Sequence, residues 1–193
     1  MNFTRTDLGE IAEGTHNMYL ETGRLAIRPY IESDFDDYFD YIMEPELQYM
    51  LGLHDINSRK SAYEAFQWLM ENREFYAVII KETGKVIGHI CIHPQHMQIS
   101  KEADFKDKTG YSLSFAMAKP YRRKGFMEEA LRALIDELFM HRNANFIDCE
   151  YATFNKASHA LQEKLGFSYH CKEQFGDVEL ITNVLRREEW NGK

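Results

Sequence analysis

The sequence predicts an α/β (α+β) fold in which a mixed, partly antiparallel sheet carries helices. Segments with strand periodicity and segments with helical periodicity follow one another in the order β-α-α-β-β-β-α-β-α-β-β, which favours a mixed sheet. The 193 residues are 44% hydrophobic, which is enough for one sizeable core. No repeat or Pro/Gly-rich linker divides them, so we expect a single domain over residues 24–193 behind an N-terminal extension of residues 1–23.

The first half of the domain is predicted to contain three strands and two helices. Residues 24–31, RLAIRPYI, have the character of a strand, and Asp34 precedes a run with helical spacing of apolar residues. Ser58 is a favoured N-cap residue and predicts the start of a second helix. The turn ETGK joins YAVIIK to VIGHICIH, so residues 76–93 are predicted to form a hairpin.

The second half is predicted to contain four strands and two helices. Residues 111–118 and 146–152 have strand character, and one apolar face with helical spacing lies between them. That face consists of Met127, Ala130, Leu131, Leu134, Ile135, Leu138 and Phe139. Asn155 is a favoured cap for a following helix, which is predicted to end at Gly166 because glycine is preferred just past a helix end. Two strands, FSYHCKE and DVELITNVLR, complete the chain.

Charge and composition limit the classes of partner. A net charge of −8 argues against general affinity for nucleic acid or for an anionic membrane, and it is compatible with an amine-bearing partner. The first residues have neither a signal-peptide pattern nor an apolar run that could span a bilayer, so we expect a cytoplasmic protein. Cys91, Cys149 and Cys171 form no CxxC pair, as is typical of reduced thiols. The sequence leaves a monomer and a homodimer both open.

An unusual distribution of charge marks residues 119–134, KPYRRKGFMEEALRAL. Four cations, Lys119, Arg122, Arg123 and Lys124, directly precede a helical run, although the N-terminus of a helix favours anions over cations. A glycine-containing turn that opens a helix can present free N–H groups to a phosphate. The pattern is neither GxxxxGK[ST] nor GxGxxG. It predicts an anion site around Gly125, with a solvated basic turn as the alternative.

Several segments together resemble the GNAT N-acetyltransferases. Residues 122–127, RRKGFM, are similar to the acetyl-CoA loop pattern [Q/R]xxGx[G/A] of that family, with Met127 departing from the final small residue. Residues 155–167, NKASHALQEKLGF, resemble the family's Nxx[AS]…EKLGF helix. Residues 21–35 and the ending VLRREEW, residues 184–190, are similar to its RimJ/RimL-like branch. The resemblance extends over residues 21–190.

This resemblance implies a specific sheet and a specific donor site. The expected fold is a mostly antiparallel sheet of six to seven strands, flanked by about four helices. Its fourth and fifth strands, here 111–118 and 146–152, splay apart and admit acetyl-CoA, with CoA as the product. The cofactor-binding residues implied are Met117, Ala118, Arg122, Arg123, Lys124, Gly125, Phe126, Met127, Asn155 and Ser158. Asn155 also has a simpler explanation as a helix cap.

The resemblance also implies a catalytic acid, and strand alternation in the sequence suggests candidates for the base. Ser158 is expected to protonate the departing CoA thiolate, because Gln162 stands where many GNAT enzymes have a tyrosine acid; simple packing of a small residue is the alternative. The attacking amine must lose a proton. Glu150 is the candidate base, and Asp148 shares its strand face by alternation. Neither matches an invariant base of the family, and solvated surface carboxylates are the competing interpretation.

One further cluster and two alternative functions remain open. His89, Cys91 and His93 alternate on one strand face, with His96 just beyond, and their ligand types suit zinc. No second paired motif accompanies them, so no metal site is assigned, and an acyl-carrying role for Cys91 lacks a base beside it. The leading function is N-acetylation of a primary amine, on a protein N-terminus or a small molecule. The alternatives are a non-catalytic acyl-CoA-binding or regulatory module and a metal-binding regulator.

Overall fold

A single sheet of eight strands organises the described part of the chain. The computed structural model describes residues 18–53, 55–72, 74–94 and 99–192. Within them the strand order is β1-β2-β3-β4-β5-β6-β8-β7. The strands are β1 (Leu20–Glu21), β2 (Leu25–Pro29), β3 (Phe75–Ile80), β4 (Val86–Pro94), β5 (Gly110–Met117), β6 (Phe146–Ala152), β7 (Ser168–Phe175) and β8 (Val178–Arg186).

Five α-helices accompany the sheet within the described residues. They are α1 (Phe35–Ile42), α2 (Pro45–Leu51), α3 (Arg59–Glu71), α4 (Phe126–Asp136) and α5 (Lys156–Lys164). A π-helical turn, Glu137–His141, continues α4. The expected mixed α/β fold is confirmed, whereas the expectation of six to seven strands and about four helices is wrong. The two elements that the sequence did not predict are β1 and α2. The two residues of β1 are too few to show alternation, and α2 is a helix of only two turns that starts at a proline.

Two of the three predicted helix starts have an observed side-chain cap, whereas Asp34 precedes α1 without a side-chain cap hydrogen bond. The Ser58 side chain accepts the N–H of Ser61 at 3.1 Å and so opens α3. Asn155 accepts the N–H of Ser158 at 3.1 Å and opens α5. The chain leaves α5 through Gly166, whose φ of +90° only glycine adopts without strain.

Two compact units divide the chain, and each has its own core. The first unit comprises the residues up to Cys91 together with Phe115–Ala130. In it β2, β3 and β4 pair antiparallel. Its core is aromatic: the Tyr30 ring meets Phe66 edge-on at a centroid distance of 5.4 Å, and Tyr38 lies 5.3 Å from Phe66. These rings hold α1 and α3 together.

The second unit comprises Ile92–Ser114 and the residues from Leu131 onward. In it β6, β8 and β7 pair antiparallel, while β5 and β6 pair in parallel from Gly110 opposite Phe146 to Leu113 opposite Cys149. Both strands of the parallel pair continue past that register, to Met117 and Ala152. The two strands can splay apart only if their pairing ends before the strands themselves do, as it does here. That they splay apart stays a prediction.

The structure describes part of the predicted N-terminal extension and nearly all of the C-terminal segment. Much of the predicted N-terminal extension lies outside the described residues; the described remainder contributes β1 and a buried Met18. At the other end, the indole N–H of Trp190 donates to Asp136 at 2.7 Å and anchors the C-terminal segment within the second unit. One domain over residues 24–193 stays a prediction. No helix in the described ranges has the length and apolarity needed to cross a membrane.

Candidate active site

The turn between β5 and α4 has the backbone of an anion cradle. Arg123 and Gly125 have positive φ angles, +61° and +78°. Glycine adopts this conformation freely, whereas for Arg123 it costs about 1 kcal/mol, a strain that functional loops often retain. The first N–H groups of α4 have no intrahelical acceptor, and alternation of left- and right-handed residues turns successive N–H groups toward one concavity. The turn therefore fits a phosphate group.

Arg24 and Glu129 fix this turn in place. Glu129, in the first turn of α4, accepts from the backbone N–H of Arg24 at 2.9 Å and from its Nε at 2.6 Å. The same guanidinium donates to the carbonyl of Lys124 at 3.2 Å and lies 4.3 Å above the Phe126 ring. Sequence reasoning missed both residues, although an acid in the first turn of a helix is itself a readable signal.

Two of the four cations that precede α4 have carboxylate partners. Arg122 pairs with Glu44 at 2.9 Å and with Glu46 at 3.3 Å, and the Lys119 ammonium lies 3.4 Å from Glu46. These contacts account for part of the unusual charge distribution. Within the described chain Arg123 and Lys124 form no ion pair, so they are the side chains left to neutralise a bound anion.

The backbone at the end of β5 is partly engaged. The Ala118 N–H donates to the carbonyl of Ile87 at 2.9 Å, and the Met117 carbonyl accepts from Arg122 Nε at 2.8 Å. Ala118 could donate to a thioester only by giving up that hydrogen bond. Met127 is buried, so the side chain that departs from the family pattern packs inward.

A chain of side-chain hydrogen bonds converges on Ser158 in the second unit. Gln162 Nε2 donates to Ser158 Oγ at 3.1 Å, and Asn183 Nδ2 donates to Gln162 Oε1 at 3.0 Å. Because Ser158 Oγ accepts from Gln162, its own O–H proton remains available to another acceptor. Ser158, Gln162 and Asn183 are all buried, so these hydrogen bonds are well shielded from water. Sequence reasoning identified Ser158 and Gln162 but not the link to Asn183.

The two candidate bases have opposite environments. Glu150 and Asp148 share one face of β6, as alternation predicts, but Asp148 is fully buried and Glu150 is exposed. Asp148 lies opposite Ser112 in the parallel register. Only Glu150 therefore has ready exchange with solvent, which a group that disposes of a proton requires.

The residues of the histidine-bearing strand have different environments. His89 is buried, its Nδ1 lies 2.8 Å from the Tyr41 hydroxyl, and burial lowers its pKa to about 4. Cys91 is buried and His93 half-buried, while His96 lies outside the described residues.

Cys149 lies on β6. Burial, with a smaller effect of Asp148 and Glu150, raises the pKa of Cys149. Cys149 is therefore a poor nucleophile.

The comparisons with known proteins agree with this geometry. The turn that leads from β5 into α4 can present backbone N–H groups to a phosphate-bearing ligand. A family model described as acetyltransferase (GNAT) domain matches residues 24–168. The chain belongs to the GNAT acetyltransferase family, and the predicted acyltransferase class is confirmed.

Two relatives by sequence are named as N-acetyltransferases. The SPbeta prophage-derived uncharacterized N-acetyltransferase YokL of Bacillus subtilis (strain 168) is 28% identical over 130 residues, covering 67% of this chain and 68% of that protein. Uncharacterized N-acetyltransferase p20 of Bacillus licheniformis is 28% identical over 155 residues, covering 77% of this chain and 81% of that protein.

Solved structures share the fold at low sequence identity. A GNAT family acetyltransferase from Bacillus anthracis has a TM-score of 0.76 at 17% identity and covers 89% of this chain and 100% of its own. The ribosomal-protein-S5-alanine acetyltransferase from Vibrio fischeri has a TM-score of 0.68 at 17% identity, covering 91% and 100%. At these identities the likeness shows the fold alone.

Proposed function

We propose that this acetyltransferase takes its acetyl group from acetyl-CoA and transfers it to a primary amine by direct attack in a ternary complex. The observation that carries the proposal is the turn from Arg122 to Met127, with Gly125 and Arg123 in left-handed backbone at the start of α4. Its geometry suits a pyrophosphate, and it lies within the segment that matches the family.

Backbone groups make the main contacts to the acetyl donor in this proposal, and side chains add positive charge. N–H groups from Arg123 to Met127 hold the pyrophosphate, and the side chains of Arg123 and Lys124 add charge. Glu44 and Glu46 engage the guanidinium of Arg122 and the Lys119 carbonyl accepts its N–H, so Arg122 is proposed to support the turn and to add charge near the pyrophosphate. Met117 N–H and the second-unit residue Asn155 are proposed for the pantetheine arm, in the manner of an added strand. Acetyl-CoA supplies an activated thioester.

Ser158 is proposed as the acid for the leaving sulfur. Its hydroxyl accepts from Gln162 and keeps its own proton for donation, so the proton moves from Ser158 Oγ to the sulfur as the C–S bond breaks. Ser158 Oγ is then reprotonated through water by the second proton that the amine nitrogen loses as the amide forms. Gln162 and Asn183 act as positioning residues for that hydroxyl. The buried chain of hydrogen bonds thus takes the place of the tyrosine acid of many family members.

Glu150 is proposed to receive the proton of the incoming amine, directly or through water. An amine with a pKa of about 10 is mostly protonated at neutral pH, so its deprotonation costs on the order of 4 kcal/mol. An exposed carboxylate can pass the proton to solvent, whereas the buried Asp148 cannot do so readily.

A protein N-terminus is the acceptor that the RimJ/RimL-like branch favours. The ending VLRREEW and residues 21–35 carry the resemblance to that branch, and a Vibrio fischeri enzyme that shares the fold acts on ribosomal protein S5 by its name. Small-molecule amines remain the other candidate class. A cytoplasmic location and a monomeric or homodimeric state accompany the proposal.

Two measurements test the proposal. Acetyl-CoA at about 100 times its Kd should stabilise the fold by roughly 2.7 kcal/mol, and the absence of a thermal shift with acetyl-CoA or CoA would refute the donor assignment. Thiol release from acetyl-CoA in the presence of a panel of peptides and small amines should then identify the acceptor class. Donor binding without thiol release on any amine would favour the non-catalytic alternative. Stoichiometric zinc in purified protein would support the metal-binding regulator.

A further inference from the structure

A cavity in the second unit is lined by none of the residues given a role above. It has a volume of about 100 Å³ and opens where β5 and β6 begin and β8 ends. The rings of Phe105 and Phe146 form its apolar wall, with centroids 4.5 Å apart. Asn155 follows the opposite end of the seven-residue strand β6, so roughly 20 Å of strand separates it from this cavity.

Three cations line this cavity: Lys108, Arg186 and Arg187. Over the described residues none of them forms an ion pair with a carboxylate, although other arginines there do, as Arg28 does with Asp34 at 2.6 Å. Arg186 instead lies 5.1 Å above the Phe105 ring.

The balance of charge around the cavity is positive. Glu188 is the single carboxylate-bearing residue that lines it, against three cations. Like charges gathered around one small space repel one another, and a bound anion removes that cost.

Arg187 provides an independent indication of a ligand. Its Nε donates to the carbonyl of Ala144 at 2.7 Å, which fixes the plane of the guanidinium. Its Nη2 is buried and has no hydrogen-bond partner in the described part of the chain. A buried donor without an acceptor costs about 1–3 kcal/mol, and a bound water or ion is one of the explanations for such a group in a native protein.

We propose that this cavity binds a small oxyanion of the phosphate type. Arg187, Arg186 and Lys108 supply the positive charge, since guanidinium groups match oxyanion geometry. The size is suitable, because a cavity of about 150 Å³ accommodates benzene and a phosphate has fewer heavy atoms. None of the lining residues belongs to residues 122–127, the turn proposed to bind the acetyl donor and called the donor turn below.

The test is a titration of the full chain with inorganic phosphate against chloride at equal ionic strength. Saturating CoA is present so that the donor turn does not compete for phosphate. Wild type is expected to bind phosphate selectively, and Arg187→Gln is expected to bind about tenfold more weakly, the equivalent of one charge-assisted hydrogen bond. Because Arg187 also contacts Ala144 and its replacement could impair folding, Arg186→Gln and Lys108→Ala are measured as well, each with the same expected direction.

Lys101→Ala is the matched control, since this lysine is also exposed and near Lys108 in sequence but does not line the cavity. Its phosphate affinity should equal that of wild type. Equal stabilisation by phosphate and chloride, unchanged affinity in both Arg186→Gln and Lys108→Ala, or an equal loss in Lys101→Ala would each overturn the proposal. The loss of phosphate affinity is expected only in the variants of the cavity residues. The test of the cavity is therefore valid whether or not the protein binds CoA.

Discussion

Glu129 accepts hydrogen bonds from both the backbone N–H and the Nε of Arg24, so one carboxylate joins the start of β2 to the first turn of α4. Burial raises the pKa of Glu129, but the hydrogen bonds from Thr22 and Arg24 outweigh burial and hold it below its usual value. The carboxylate is therefore charged at neutral pH. It stabilises the Arg24 guanidinium, which donates a hydrogen bond to the carbonyl of Lys124. Lys124 lies within the turn that is proposed to bind pyrophosphate.

Loss of that charge should loosen the donor turn. In Glu129→Gln the pairing with Arg24 becomes a neutral hydrogen bond, so we expect a loss of about 1 kcal/mol of stability and a several-fold rise in the Kd for CoA. The measurements are thermal unfolding and CoA titration by calorimetry. Glu64→Gln, which removes only an exposed pair with Lys60, is the control and should change neither quantity. An unaltered Kd for CoA in Glu129→Gln would show that the contact between Glu129 and Arg24 does not support CoA binding.

Gly125 tests the donor turn itself. Its φ of +78° makes any side chain there strained, and an added Cβ would lie 3.4 Å from Arg24 Nη2. Gly125→Ala therefore measures the backbone cost alone, roughly 1 kcal/mol of stability. Gly125→Asp adds an anion where the phosphate is proposed to bind, so we expect it to weaken CoA binding at least tenfold beyond Gly125→Ala. Equal CoA affinities of the two variants, measured by calorimetry, would place the pyrophosphate elsewhere.

Ser158 and Gln162 should affect turnover more than donor binding. Ser158→Ala removes the proposed acid, so we expect kcat to fall by about 10²-fold or more with little change in the Kd for CoA. Gln162→Met keeps the volume but removes the donor to Ser158 and leaves Asn183 without its acceptor. It should lower kcat less than Ser158→Ala does, and the double variant should resemble Ser158→Ala.

The outcome of that comparison distinguishes positioning from packing. If Gln162 acts through Ser158, its effect disappears when Ser158 is already absent, whereas a purely structural role gives additive losses. Unfolding free energies of all three variants show how much of any loss reflects stability. An unchanged kcat in folded Ser158→Ala would remove Ser158 as the acid.

Local signals in the sequence predicted the elements that have strong periodicity or a cap. Ser58 and Asn155 opened their helices as expected, because an N-cap acts on N–H groups only three residues away. The partners of the donor turn could not be predicted in this way. Arg24 meets Glu129 across 105 residues, and Arg122 meets Glu44 across 78. Such pairings depend on how the sheet places distant segments, which no local pattern encodes.

Gly88 is predicted to be intolerant of any side chain. A Cβ built there would lie 2.2 Å from the carbonyl oxygen of Ala116, and backbone atoms cannot withdraw as a flexible side chain can. We expect Gly88→Ala to destabilise the fold by several kcal/mol or to prevent folding, because β4 and β5 would have to separate. Gly23→Ala is the control, since its Cβ would meet only Glu129 Oε1, at an ordinary 3.9 Å. Thermal unfolding that is equal in the two variants would contradict this close approach.

His89 should make the protein less stable in mild acid. Burial lowers its pKa from 6.5 to about 4 in the folded state, so between these values the unfolded chain binds the extra proton and the folded chain does not. The contribution of His89 is therefore fully present above pH 6.5, falls as the pH drops toward 4, and totals about 3 kcal/mol. Urea unfolding of wild type and His89→Gln at several pH values isolates this contribution, since the carboxylates titrate in both proteins. The wild-type free energy of unfolding should decline more steeply over this window, and parallel pH profiles would show that His89 is protonated in the folded state or that the buried ring does not control acid stability.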